Sequence, residues 1–111
     1  MLIVVKNAIC ILTAATGVFS IVLPNSTVGF TGLQPVGGRG ISEIRAVLGG
    51  LFVALGLAPL FLKGDTYTML GWAYLAIAVV RLVSIFADGS SVQSNWISLA
   101  VEVVFGIVLL L

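Results

Sequence analysis

The stretch ISEIRAVLGGLFVALGLAPLFL, residues 41–62, carries the pattern that decides the fold of this chain. It opens with two charged residues, Glu43 and Arg45, and continues as an almost unbroken apolar run. A helix needs about 20 mostly apolar residues to cross the hydrocarbon core of a bilayer. The segment therefore predicts a transmembrane helix with charged side chains near one end.

Three further segments of the same kind occupy most of the remaining chain. Between them lie stretches that end helices, such as the proline after the first run and the glycine-containing turns after the second and third. Only the first connection, residues 24–41, is long, and its glycines and prolines predict a loop without helix. The predicted spans are residues 2–23, 42–62, 66–87 and 94–111.

Composition places these helices in lipid. Sixty per cent of the 111 residues are hydrophobic and only 8% are charged, against about 25% charged residues in ordinary soluble domains. A soluble domain of this size could not bury so much apolar surface. We therefore expect a single all-α integral membrane domain, residues 1–111, with the lipid bilayer as its surroundings. The net charge of +1 indicates no attraction to nucleic acid.

The inventory of reactive side chains excludes much enzyme chemistry. The chain has no histidine and one cysteine, Cys10, so histidine-containing metal sites, His-based triads and an internal disulfide are excluded. An enzyme would have to use Glu43, Asp88 or Glu102 as acid or base, or Cys10 as nucleophile. A buried structural cysteine is the better interpretation. We expect no catalysis, no metal and no cofactor.

Small residues predict how the helices pack, because membrane helices associate through close backbone approach and interhelical hydrogen bonds. Their recurrence in the second and fourth spans predicts a four-helix bundle. The similarity of GVFSIVLPNS (17–26) to RLVSIFADGS (81–90) also indicates a duplicated helical hairpin. The predicted packing residues are Ala46, Gly49, Gly50, Ala54 and Gly106.

Arg81 and Glu102 are predicted to lie at similar depths below the same membrane surface. Arg81 lies seven residues before Asp88 and Glu102 eight residues after Ser94, about 10 and 12 Å along their helices. Since an isolated charge inside a bilayer is unfavourable by about 2.5–3.5 kcal/mol or more, we expect Arg81 and Glu102 to pair.

Glu43 and Arg45 have two interpretations. Ser42 could cap the second helix while Glu43 complements the positive end of its dipole, and Arg45 could extend its side chain toward the surface. Alternatively, both residues belong to a shared site. The predicted buried polar network, which could also bind a small ligand of unknown identity, comprises Glu43, Arg45, Arg81, Asp88 and Glu102.

Three segments, SEIRAVLGGLFVALGL (42–57), RLVSIFADGS (81–90) and SLAVEVVFGIVLLL (98–111), resemble a bacterial family of small four-helix membrane proteins of unknown function. That family is similar in layout to the DoxX-like membrane proteins. The resemblance implies a bacterial inner-membrane location and a recurring charged cluster, but it implies no reaction.

Two functions fit these observations. The first is a non-enzymatic membrane module that self-associates or serves as an accessory subunit of a larger membrane complex. The alternative is a small-ligand or proton-coupled ion transporter or channel that uses the Arg81/Glu102 cluster. Lys6, Lys63 and the terminal amine favour cytoplasmic termini under the positive-inside rule, although Arg39, Arg45 and Arg81 lie toward the other side.

Overall fold

The computed structural model describes all residues, Met1–Leu111, and every regular element in it is helical. The long helices are α1 (Leu2–Val22), α2 (Gly37–Leu62), α3 (Asp65–Ala87) and α4 (Gln93–Leu110). All four are long and apolar enough to cross a membrane. The predicted number of spans and their approximate positions therefore agree with the helices.

The first connection differs from the predicted loop. Pro24–Thr27 forms a 3-10 turn and Val28–Thr31 a single α-helical turn, and α2 begins at Gly37 instead of Ser42. Pro24 stands at the start of its turn, where its missing N–H group costs no hydrogen bond. The expectation that this segment contains no helix is wrong, because Pro24 begins a turn and Gly37 begins α2, while Gly32 and Pro35 lie in the non-helical residues 32–36.

The contacts divide the chain into two compact units, each built on one helical hairpin. The first unit, residues 7–62, contains most of α1 together with α2. The second unit contains residues 1–6 and 63–111, and therefore α3, α4 and the first residues of α1.

Glycines bring α1 and α2 together in the first unit. A Cβ atom on Gly17 would lie 2.6 Å from the Gly49 carbonyl oxygen, and one on Gly56 would lie 2.5 Å from the Cys10 carbonyl oxygen. Such distances are too short for any real Cβ, so only glycine permits this backbone approach. The two helices therefore touch through Gly17, Gly49 and Gly56.

The predicted packing face of α2 differs from the face that contacts α1. Gly49 is buried, whereas Ala46, Gly50 and Ala54 are exposed. Ala46 and Gly50 lie in a π-helical stretch, Ile44–Leu51, where the α-helical repeat behind the predicted packing face does not apply. The contacting residues Gly49, Val53 and Gly56 alternate spacings of four and three, which keeps them on one face.

Part of α2 departs from α-helical geometry. Ile44–Leu51 is a π-helix, in which each N–H group bonds the carbonyl five residues earlier. This segment contains Arg45, Gly49 and Gly50. Such stretches are rare and often occur at functional positions.

The second unit is also closed by glycine contacts. A Cβ on Gly106 of α4 would lie 3.1 Å from the Gly71 carbonyl oxygen of α3. Tyr74, about one turn after Gly71, and Phe105, directly before Gly106, pack edge to face with ring centroids 5.5 Å apart. Gly89, at a φ of 62°, reverses the chain after α3, since only glycine adopts this left-handed conformation without strain.

Candidate functional site

The most strongly connected polar group is an ion pair between α3 and α4. Arg81 donates two hydrogen bonds to Glu102, from Nε to Oε1 and from Nη2 to Oε2, each 2.8 Å long. The Arg81 side chain is 30% exposed and that of Glu102 only 10%. This two-pronged geometry is the strongest form of arginine–carboxylate contact, and the predicted pairing of these two residues is present.

Asn95 connects this pair to the turn between the helices. Its Oδ1 accepts a 2.9 Å hydrogen bond from Arg81 Nη1, and its Nδ2 donates a 2.9 Å bond to the Ser90 carbonyl oxygen. The resulting chain runs from Glu102 through Arg81 and Asn95 to the backbone at Ser90. The guanidinium is therefore fixed from two directions.

Asp88 does not belong to this chain. It is exposed, and its carboxylate accepts a hydrogen bond from the Ser84 hydroxyl one turn earlier. Its position at the end of α3, beside open solvent, removes any need for a cationic partner. The prediction that Asp88 is a buried member of the network is wrong.

Glu43 and Arg45 are likewise exposed. Glu43 pairs with Arg39 at 3.2 Å, four residues earlier on α2, with side-chain exposures of 57% and 87%. The alternative interpretation, in which Ser42 caps the helix, is also wrong. The helix begins upstream at Gly37, after Val36, and Ser42 and Glu43 lie inside it.

A cleft opens beside the buried pair in the second unit. It has a volume of about 490 Å³ and is lined by the apolar residues Ala76, Ile77 and Val80, with Ser84, Asn95 and Arg81 at its polar end. A guanidinium carries five N–H donors, and three of them are used. One N–H on Nη1 and one on Nη2 remain available to a ligand.

The first unit has a cleft of similar size, about 510 Å³. Arg45 and Ser42 provide its polar side chains, and the remaining wall is apolar or glycine. The lining residues are Ile21, Gly38, Ile41, Ser42, Arg45 and Ala46.

Neither cleft contains the elements of a metal centre. No group of three or more His, Cys, Asp or Glu side chains is arranged to hold a metal ion. Cys10 is buried as a free thiol and lies against Gly56 of α2. The chemistry these clefts offer is hydrogen bonding and charge.

Sequence reasoning missed two of the polar partners. Asn95 precedes Glu102 by seven residues, which is two helical turns and places both on one face of α4. Arg39 precedes Glu43 by four residues, the spacing of a helical ion pair. The spacing of Arg39 and Glu43 is informative only if α2 is known to start before residue 39.

Four long apolar helices, with an arginine–glutamate fork holding one hairpin together, define a small all-helical protein with four candidate membrane spans. Residues 2–111 match the family described as "Domain of unknown function (DUF4345)", and the chain belongs to that family. Among the curated proteins and the solved structures there is no match to the chain.

Proposed function

We propose that this protein is a non-enzymatic integral protein of the bacterial inner membrane that self-associates or serves as an accessory subunit of a larger membrane complex. The observation that carries the proposal is a small-residue face of α2, formed by Ala46, Gly50 and Ala54, that the chain leaves exposed.

The two sides of α2 differ in their packing. Gly49 and Gly56 are already in backbone contact with α1, whereas a Cβ on Gly50 would come no closer than 4.0 Å to its nearest neighbour. Small residues spaced by four allow a second helix to approach closely in a bilayer, where van der Waals packing drives association. This face is therefore suited to a helix from another chain.

The charged groups are consistent with a structural role. Glu102 and Arg81 hold α3 to α4 through two parallel hydrogen bonds, and buried polar groups need such partners in a low-dielectric environment. We assign no reaction to Cys10 or to the carboxylates.

Substitution on the small-residue face tests the proposal. We expect Gly50→Ile combined with Ala54→Ile to shift the purified protein toward monomer, measured by subunit counting after reconstitution at several protein-to-lipid ratios. Ala100→Ile is the matched control, since Ala100 is an exposed alanine on α4. It should leave the assembly unchanged.

The accessory-subunit form has its own measurement. A defined partner that co-purifies with the wild-type protein from its native membrane should be lost with the Gly50 and Ala54 substitutions and kept with Ala100→Ile. A wild-type protein that is monomeric at every lipid ratio and co-purifies with no other protein would refute both forms.

We infer the membrane orientation from the basic residues. Lys6 and Lys63 lie at one membrane surface if all four helices span, and under the positive-inside rule they favour the cytoplasm for that side. A reporter enzyme that works only in the cytoplasm should therefore be active when it is fused after Leu111. Activity of a periplasm-dependent reporter at that position would reverse the orientation.

A second candidate is supported by the cleft at Arg81. Its two remaining N–H donors and its apolar walls could serve a small-ligand or proton-coupled ion transporter or channel. In proteoliposomes, solute or proton flux should then fall with Glu102→Gln and with Arg81→Gln. Flux that is unchanged by both substitutions would separate the cluster from transport.

A further inference from the structure

Arg45 is an arginine without a partner. Arg39 and Arg81 form the ion pairs of this structure, with Glu43 and Glu102, whereas the side chain of Arg45 makes no hydrogen bond or ion pair. Its charge is therefore not neutralised by the chain. An unpaired guanidinium retains all five of its N–H donors for a ligand.

The cleft beside Arg45 has a distinct chemical character. Its polar groups are the Arg45 guanidinium and the Ser42 hydroxyl, and none of its lining residues is acidic. The rest of the wall includes Ile21, Ile41 and Ala46. A molecule that fits must combine a negative, hydrogen-bond-accepting group with an apolar portion.

The position of Arg45 along α2 suits a headgroup at the bilayer surface. The helix has 26 residues, about 39 Å at 1.5 Å per residue, and exceeds a hydrocarbon core of about 30 Å by about 9 Å. Arg45 lies eight residues after Gly37, about 12 Å along the helix. If the excess length projects at the charged end, the guanidinium reaches the boundary between acyl chains and headgroups.

We propose that this cleft is a binding site for an anionic phospholipid. The phosphate accepts hydrogen bonds from Arg45 and Ser42, and an acyl chain lies against Ile21 and Ile41. Arginine suits this role because its planar fork matches the geometry of a phosphate group. Outward extension of Arg45 into water alone would give no preference for one lipid over another.

Lipid binding can be measured directly on the purified full-length protein. Native mass spectrometry would be recorded after exchange into detergent containing phosphatidylglycerol or phosphatidylcholine. We expect the wild-type protein to retain phosphatidylglycerol preferentially. Arg45→Gln should weaken that retention about tenfold, the effect of losing a charge-assisted hydrogen bond.

Two variants separate the site from general surface charge. Lys63→Gln removes the same charge at the other end of α2, where Lys63 is exposed, and should change retention less than twofold. Ile41→Ser removes apolar wall without changing charge and should weaken retention. Arg45→Gln should melt like the wild-type protein in lipid-free detergent, because Arg45 has no internal partner.

Inorganic phosphate distinguishes a lipid from a soluble anion. At equal concentration it should neither protect the protein against thermal unfolding nor displace phosphatidylglycerol. The proposal is overturned if Lys63→Gln weakens retention as much as Arg45→Gln, or if the wild-type protein retains both lipids equally. It is also overturned if phosphate displaces the lipid while Ile41→Ser has no effect.

Discussion

Arg81 and Glu102, 21 residues apart in sequence, meet as a two-pronged ion pair whose two hydrogen bonds are both 2.8 Å long. The contact joins the last third of α3 to the middle of α4, and the same two helices also approach closely at Gly71 and Gly106. A fork of this kind restricts rotation of both helices.

Replacing one member of the Arg81–Glu102 pair should be more damaging than replacing both. Arg81→Leu or Glu102→Leu leaves one charge unpaired and should destabilise the protein by about 3–5 kcal/mol, whereas an apolar replacement of both can be near neutral. Thermal unfolding in detergent of the singles and the double measures this. If the double variant loses as much stability as the two singles summed, the side chains do not stabilise one another.

Asn95 should contribute through its two hydrogen bonds. Asn95→Leu removes the acceptor for Arg81 Nη1 and the donor to the Ser90 carbonyl, and should cost about 1–3 kcal/mol because those groups lose their partners. Ser94→Ala, at an exposed neighbouring position, is the control and should be nearly neutral. Equal melting temperatures for the two variants would contradict the role of Asn95.

Gly56 and Gly50 have different surroundings on α2, so substitution by alanine should change stability differently at the two positions. Gly56→Ala places a methyl group against the backbone of Cys10 and Ala14 and should destabilise by about 1–3 kcal/mol through overpacking. Gly50→Ala brings its methyl group no closer than 4.0 Å to the Arg45 carbonyl oxygen and should be neutral, or stabilising by up to about 1 kcal/mol through helix propensity. Both variants can be compared by detergent-solution melting, and a more damaging Gly50→Ala would invalidate the assigned packing face.

The Arg39–Glu43 pair should matter little to stability. Both side chains are more than half exposed, and exposed pairs spaced by four residues contribute about 0.3–0.5 kcal/mol. Arg39→Gln and Glu43→Gln should therefore each shift the melting temperature only slightly, and less as salt is added. A loss comparable to that of Arg81→Leu would mean that this pair is buried by a partner chain in solution.

The site could be predicted in part because the position of a residue along a helix follows from its sequence number and the rise per residue. Arg81 and Glu102 lie at matching distances from their shared turn, so their pairing was predictable from spacing. Asn95 was accessible by the same argument, two turns before Glu102 on one face of α4. The prediction that Glu43 belongs to a buried network is wrong because its partner, Arg39, lies in a segment expected to be a loop.

The sequence by itself determined that four apolar helices form and where they approximately end. Both the apolar runs and the Gly or Pro residues that interrupt them are local features of the chain. Only the tertiary structure decided that Gly49 packs while Gly50 stays open, that Asp88 bonds Ser84, and that Arg45 stands unpaired beside a cleft. These outcomes depend on the rotation of each helix about its axis. That rotation is set by backbone contacts such as Gly17 with Gly49, and no single segment contains both sides of such a contact.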